Sequence, residues 1–239
     1  MQINGSTALV TGANRGLGKA FAEALLARGA TTVYATARRP ELIDVPGVIP
    51  LHLDLTDRAS IEAAAATVGD LDLLVNNAGI STDAPLLGPS LDNIRREFDT
   101  NFWGTLDVTR AFAPRLAGGA ILTVISALSW YAFSPASNGY AASKAAEWSL
   151  TNGVRLELAD QKTQVTALAL AIADTDMMAG YDIPKLPPHE VVAQALDGLE
   201  AGLIEVIADA PTANVKASLS RDPALFYADI PGNLFGVTG

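Results

Sequence analysis

Tyr140 and Lys144 stand four residues apart in the run Tyr140-Ala-Ala-Ser-Lys144. Within a helix that spacing puts both side chains on one face. A free phenol, with a pKa of about 10, is a poor proton donor or acceptor at neutral pH. A neighbouring ammonium favours the phenolate and lowers that pKa. A tyrosine tuned in this way can give a proton to a carbonyl oxygen or take one from an alcohol. Taken alone, the pair is also an ordinary feature of a helix. A second pattern lies far upstream, in Thr11-Gly12-Ala13-Asn14-Arg15-Gly16-Leu17-Gly18. Gly12 lets the chain turn sharply, Gly16 lets backbone approach a pyrophosphate, and Gly18 lets a helix pack closely on a strand. The helix N-terminus then offers free N–H groups and positive dipole to an anion. Such a turn can also be only a turn, so its context decides.

That context is an alternation of short apolar runs with longer helical patterns. Strands are expected at 6–10, 31–36, 48–53, 71–75, 120–125, 164–170 and 203–207. Helices are expected at 17–28, 57–68, 91–112, 139–159 and 188–201. Runs such as Leu71-Asp-Leu-Leu-Val75 and Ala120-Ile-Leu-Thr-Val-Ile125 suit strands covered on both faces. The alternation implies a doubly wound, parallel α/β sheet in one domain, residues 1–239. The glycine turn then joins the first strand to the first helix, and Tyr140 and Lys144 open the helix after the fifth strand. Residues 173–187 read as a loop or short-helix insertion. The tail, 209–239, has scattered prolines and glycines and weak periodicity.

Composition excludes several chemistries. The chain has 239 residues and no cysteine, so disulfides, thiolate nucleophiles and cysteine metal sites are out. Its two histidines, His52 and His189, give no basis for a metal site. With 16 basic against 26 acidic residues the net charge is −10, which argues against nucleic-acid binding. No run approaches the roughly 18 apolar residues of a membrane span. Met1–Gly5 lacks the basic and apolar regions of a signal peptide, so the expected location is the cytoplasm.

Six motifs occur together in a specific order: TGANRGLG at 11–18, Asp54 in LDLTD, NNAG at 76–79, Asn101 in DTNFWG, Ser126 in ISALSW, and Tyr140 with Lys144. In this the chain resembles the short-chain dehydrogenases/reductases over about residues 5–205. The resemblance implies a single-domain Rossmann fold, a doubly wound, mostly parallel seven-stranded sheet with helices on both faces. It implies a catalytic set of Asn101, Ser126, Tyr140 and Lys144. Tyr140 would act as acid–base, Lys144 would also bond the nicotinamide ribose, Ser126 would hold the substrate oxygen, and Asn101 would bend its helix and hold a relay water. Ser126 precedes Tyr140 by one residue more than is usual in the family, where Ala127 stands at the usual spacing; Ser129 is the alternative. Cofactor contacts are expected from Gly12, Asn14, Arg15, Gly16, Leu17, Gly18, Arg38, Asp54, Leu55, Asn77, Ala78, Gly79, Tyr140, Lys144, Ile172 and Thr175. Asp54 would meet the adenine amino group. The alternative role for Asn76 or Asn77 is to stitch neighbouring strands.

The second strand ends without the acidic residue that binds an NAD ribose. Arg38, with Arg15 as a second cation, suits a 2′-phosphate, so NADP(H) is the expected cofactor. Leu170-Ala171 replaces the family's Pro-Gly, and alanine does not tolerate positive φ, so that loop is expected to take its own path. Trp130, Tyr131, Phe133, Met177, Met178 and Tyr181 are candidates for an apolar pocket around a small ketone, aldehyde or secondary alcohol. The resemblance implies a homodimer or homotetramer through the helices at 91–112 and 139–159. Two rival readings are a cofactor-binding sensor with a crippled site and a nucleotide-sugar epimerase or dehydratase. Members of the latter group are usually longer, and this chain ends soon after its seventh strand.

Overall fold

The computed structural model describes the backbone of residues 1–233 and the side chains of residues 1–229. Its strands are β1 (Thr7–Thr11), β2 (Thr32–Ala37), β3 (Ile49–His52), β4 (Leu73–Asn76), β5 (Ala120–Val124), β6 (Gln164–Ala169) and β7 (Glu205–Ile207). Every pairing is parallel, and the order is β3-β2-β1-β4-β5-β6-β7. From β1 the chain winds outward through β2 to β3; from β4 it winds the other way to β7. The reversal opens a crevice beyond the C-terminal ends of β1 and β4, where sheets of this kind bind ligands.

Helices cover both faces: α1 (Gly16–Ala27), α2 (Arg58–Thr67), α3 (Asp92–Phe98), α4 (Thr105–Phe112), α5 (Asn138–Glu157) and α6 (Pro188–Glu200). One apolar layer joins Phe21 and Leu25 of α1 to Val191, Leu196 and Leu199 of α6 through Val10, Val75 and Leu122. The opposite layer joins Ile61 of α2 and Val108 and Phe112 of α4 to Leu9, Leu74 and Ile121. Successive strand residues thus feed opposite layers, which is why these strands read as unbroken apolar runs.

Two expectations change. The single helix expected at 91–112 is interrupted at Asp99–Gly104 by a π-helical turn between α3 and α4. The tail contains two helices, α7 (Ala210–Ser218) and α8 (Pro223–Asn233). Pro211 and Pro223 fall in first turns, where the missing N–H has no intrahelical partner to lose. Phe226 of α8 packs with Tyr131 and Val215, closing the C-terminal segment over the loop that follows β5. Residues 234–239 of the expected tail lie outside the described residues.

The closest packing lies at the first turn of α1. A Cβ on Gly18 would sit 2.1 Å from the Gly12 carbonyl oxygen and 2.6 Å from the Asn77 side-chain nitrogen. Gly18→Ala is therefore expected to cost about 1–3 kcal/mol of stability as α1 is pushed off the sheet. A urea titration with an unchanged midpoint would show that α1 has room to spare.

Candidate active site

The crevice is built from the ends of β1 and β4. Gly12 and Gly16 take φ of +66° and +55°, a region that side chains disfavour. Arg15 is the N-cap of α1, and its side chain makes no capping bond, so the first N–H groups of α1 face outward. The Asn77 side chain donates to the Thr11 and Gly12 carbonyls at 2.9 and 3.3 Å, and Thr11 Oγ1 accepts from the Asn77 and Ala78 N–H groups. Asn76 instead donates to Thr109 Oγ1 of α4 at 3.0 Å. Both asparagines thus stitch the fold, and the backbone of Asn77–Gly79 runs along the crevice. Asp54 Oδ1 accepts from the Thr56 N–H and hydroxyl, and Asp57, three residues on, caps α2. Leu55 buries its side chain against Gly104. The glycine cradle and the outward N–H groups together fit a dinucleotide diphosphate.

At the other side of the crevice, α5 presents Tyr140, Ser143, Lys144 and Glu147 at helical spacing. Tyr140 lies close to Ser126, which follows β5 and favours the phenolate. Ser126 Oγ accepts from the Leu128 N–H at 3.1 Å, while Ser129 Oγ accepts from the Ser126 N–H at 3.2 Å. The two serines therefore divide the work: Ser126 faces Tyr140, and Ser129 braces the turn. Asn101 is fully buried in the π-helical turn. It accepts from the Ile80 N–H at 2.8 Å and donates to the Ile80 carbonyl and to Ser143 Oγ, each at 2.9 Å. Asn101 thus ties the strand-β4 loop to α5. A Cβ on Gly79 would come within 3.1 Å of Asn101 Oδ1 and 3.5 Å of Lys144 Nζ.

Lys144 Nζ lies 5.9 Å from the centre of the Tyr140 ring. It donates to the Val124 carbonyl at 2.9 Å and to Glu147 Oε2 at 2.5 Å. Both charged side chains are buried. Thr105 Oγ1 donates to the other Glu147 oxygen at 3.3 Å. Burial opposes the charge on Lys144, but the Glu147 carboxylate and then Tyr140 hold its pKa above the ordinary lysine value. Tyr140 departs from the sequence expectation. Burial pushes its phenol up, Lys144 pulls it down, and Glu147 takes back part of that pull; the net direction is upward. Burial likewise raises Glu147 against the opposing pull of Lys144.

A second buried acid sits nearby. Glu97 of α3 accepts from the Thr82 N–H and hydroxyl at 2.7 and 2.9 Å, and its Oε2 has no partner. A Cβ on Gly139 would meet that Oε2 at 2.5 Å. Burial raises the Glu97 pKa, and Glu97 adds a small upward push on Tyr140. Neither Glu97 nor Glu147 stood out in the sequence. The available signal was the spacing of each from a singled-out residue: Glu147 three after Lys144, Glu97 four before Asn101.

The loop after β6 returns to the glycine turn. Neither Leu170 nor Ala171 takes positive φ. Asp209 instead accepts from the Ala171 N–H at 2.8 Å and caps α7 through Thr212 N–H at 2.7 Å. The Ile172 carbonyl accepts from Leu186 N–H at 3.0 Å, closing the loop on itself. Thr175 packs over Gly16, with Cγ2 3.2 Å from where a Cβ would lie. Asp176 pairs with Arg15 at 3.1 Å. Arg38 is exposed just beyond β2, and no acid pairs with it among the described residues. Of the apolar candidates, Tyr131 is buried as an anchor for Phe226, whereas Phe133, Met177 and Tyr181 are exposed.

A sequence model of the family described as short chain dehydrogenase matches residues 6–184. A D-erythrulose reductase of Gallus gallus is 35% identical over 185 residues, covering 74% of this chain and 75% of its own length. "Carbonyl reductase [NADPH] 2" of Sus scrofa is 32% identical over 185 residues, covering 74% and 75%. A crystal structure of a short chain dehydrogenase from Burkholderia cenocepacia J2315 in complex with NADP superposes with a TM-score of 0.91 at 38% identity, covering 96% of this chain and 99% of that one.

The raised Glu97 carboxyl has a thermodynamic sign. Between the ordinary carboxylate range and its own raised value the folded chain holds a proton on Glu97 that the unfolded chain has released, so the stabilising contribution is full below the ordinary carboxylate range. That contribution is lost as pH rises through the folded-state value. Glu97→Gln mimics the protonated acid. Its Tm is expected to exceed wild type at pH 7, where the wild-type carboxyl has lost the proton that burial favours. The difference should vanish towards pH 4; a difference independent of pH would contradict the assignment.

Proposed function

The chain belongs to the short-chain dehydrogenase family, and from that premise we propose that it is an NADP(H)-dependent reductase of small hydrophobic ketones or aldehydes, reversible towards secondary alcohols. As a family member it is an oxidoreductase that uses a nicotinamide cofactor. The observation that carries the finer reading is Tyr140, close to Ser126 and with the Lys144 ammonium beside its ring, at the crevice of the sheet. When bound, the nicotinamide supplies or accepts a hydride at the carbonyl carbon. Tyr140 gives its proton to the carbonyl oxygen, and the Ser126 hydroxyl orients that oxygen and stabilises its developing charge. Lys144 opposes the rise in the Tyr140 pKa and offers a donor to the ribose, and Asn101 positions a relay water. A phenol held above its ordinary pKa stays protonated at neutral pH, which is the form that reduction needs.

Cofactor preference follows from charge. β2 ends in Ala37, and Arg38 and Arg39 follow where a ribose-binding acid would stand. Arg38 and Arg15 would hold a 2′-phosphate, which supports NADP(H). Gly12, Asn14, Gly16, Leu17 and Gly18 would cradle the diphosphate, with Asp54 and Leu55 at the adenine, Asn77–Gly79 along the ribose, and Ile172 and Thr175 at the nicotinamide end. The names of the relatives, carbonyl and sugar-ketone reductases, support a carbonyl substrate. Exposed Phe133, Met177 and Tyr181 supply apolar surface for it. Trp103 in the π-helical turn, with Trp148 and Leu156 on α5, is exposed, which supports a homodimer or homotetramer formed through these helices. The altered Leu170-Ala171 stretch favours one rival, a cofactor-binding sensor without turnover.

A panel of ketones, aldehydes and secondary alcohols with NADPH and NADH tests the reading. NADPH oxidation by apolar carbonyls is expected; NADPH binding with no turnover across the panel would select the sensor. Tyr140→Phe should keep NADPH binding, followed by fluorescence, and lose roughly 10²–10⁴-fold in kcat; near-normal kcat would remove Tyr140 from the acid–base role. Arg38→Asp should lower the NADPH-to-NADH preference about tenfold or more, the worth of a charge-assisted hydrogen bond. An unchanged ratio would remove Arg38 from the 2′-phosphate.

A further inference from the structure

Glu147 is a buried acid that the tetrad of Asn101, Ser126, Tyr140 and Lys144 does not include. It shares a face of α5 with Tyr140 and Lys144, so it points towards the sheet, and only 1% of it is exposed. A carboxylate in such a place needs a charged partner and further hydrogen bonds. It has Lys144 on one oxygen and the Thr105 hydroxyl on the other.

The geometry on Lys144 is as telling. An ammonium has three N–H donors and no acceptor. One goes to the Val124 carbonyl and one to Glu147. These bonds come from β5 on one side and from the next turn of α5 on the other. They fix Nζ and leave one donor, in a side chain beside the Tyr140 ring and the Gly79 backbone.

We propose that Glu147 is a positioning residue of the site: its carboxylate keeps Lys144 an ammonium and aims the remaining Nζ donor at the crevice. This rests on the reading of Tyr140 and Lys144 as the acid–base pair. Glu147 acts only through Lys144 and touches neither substrate nor cofactor. The titratable groups that face Lys144 are Glu147 and Tyr140, both on α5, and Glu97 of α3 bears on Tyr140 from the other side. The negative charge of Glu147 makes the first proton harder to remove from the Tyr140–Lys144 pair, whichever of the two would lose it. Without that charge the pair loses a proton at lower pH, and carbonyl reduction, which needs the phenol and the ammonium, fails at lower pH.

The test has two arms. In the first, the 13Cε signal of Lys144 is titrated in the cofactor-free protein labelled at lysine, in a Tyr140→Phe background that removes coupling to the phenol. The signal is assigned by its loss in Lys144→Arg. With Glu147 present Lys144 should still be an ammonium at about pH 10; with Glu147→Gln its midpoint should fall by about one pH unit or more. In the second arm, with Tyr140 intact, the alkaline limb of kcat/KM for carbonyl reduction should move down by a similar amount in Glu147→Gln and return towards wild type in Glu147→Asp. A Lys144 midpoint that does not move, or that moves while the alkaline limb stays in place, overturns the proposal. A wild-type Lys144 midpoint below the ordinary lysine value overturns it without any variant at Glu147, should Glu147→Gln not fold. If no carbonyl is turned over, the reaction reading fails, while the Lys144 titration still decides the ion pair.

Discussion

A lysine ammonium sealed between β5 and α5 has lost the water that would stabilise it, a loss of several kcal/mol if nothing replaces that water. Here the replacement is the Val124 carbonyl and the Glu147 carboxylate, and much of the site follows from it. The bonds tie α5 to β5, and Tyr140, one turn earlier on the same face, lies beside Lys144 and close to Ser126. The packing around the start of α5 obeys the same constraint. Gly139 has no side chain because the Ala84 carbonyl and Glu97 occupy the space. Asn101 completes the lock by bonding Ser143 of α5 and both backbone groups of Ile80.

The anion end of the crevice works differently. It is made of backbone and exposed cations, and only glycines permit its curvature. Asp176 reaches from the loop after β6 to Arg15, so the residue best placed to meet a phosphate already has a partner in the folded chain. That pair is exposed and correspondingly weak. A net charge of −10 says little about such a site. Under the proposed reading what matters is the local exception, Arg15 with Arg38 on an otherwise acidic protein.

The alternation of apolar runs and helical patterns placed all seven strands and five helical regions within a few residues, the region 91–112 covering both α3 and α4. The reason is physical: a strand covered on both faces has few polar residues to confuse the pattern. Tyr140 and Lys144 were legible because helical spacing alone puts them on one face. Three features were not legible. The π-helical turn at Asp99–Gly104 contains no proline and only the single Gly104 at its end, so nothing in the composition of 91–112 marked a break. Pro211 and Pro223 look like helix breakers until their place in a first turn is known. Glu97 and Glu147 look like solvated acids, because a helix pattern does not tell which acid has a partner waiting inside. The expected direction for Tyr140 reversed chiefly because burial of the phenol outweighs the pull of Lys144, with Glu147 adding to the rise.

The central claim is that Tyr140 and its buried partners protonate a carbonyl oxygen while a hydride reaches the adjacent carbon. The most direct measurement follows a label. Enzyme is mixed with an apolar ketone and NADPH deuterated on the transferring face of nicotinamide C4, and the alcohol is analysed by mass spectrometry. The account predicts an alcohol carrying one deuterium on the carbinol carbon, and almost none when Tyr140 is phenylalanine. NADPH bound at the crevice with no deuterium reaching any carbonyl would contradict it.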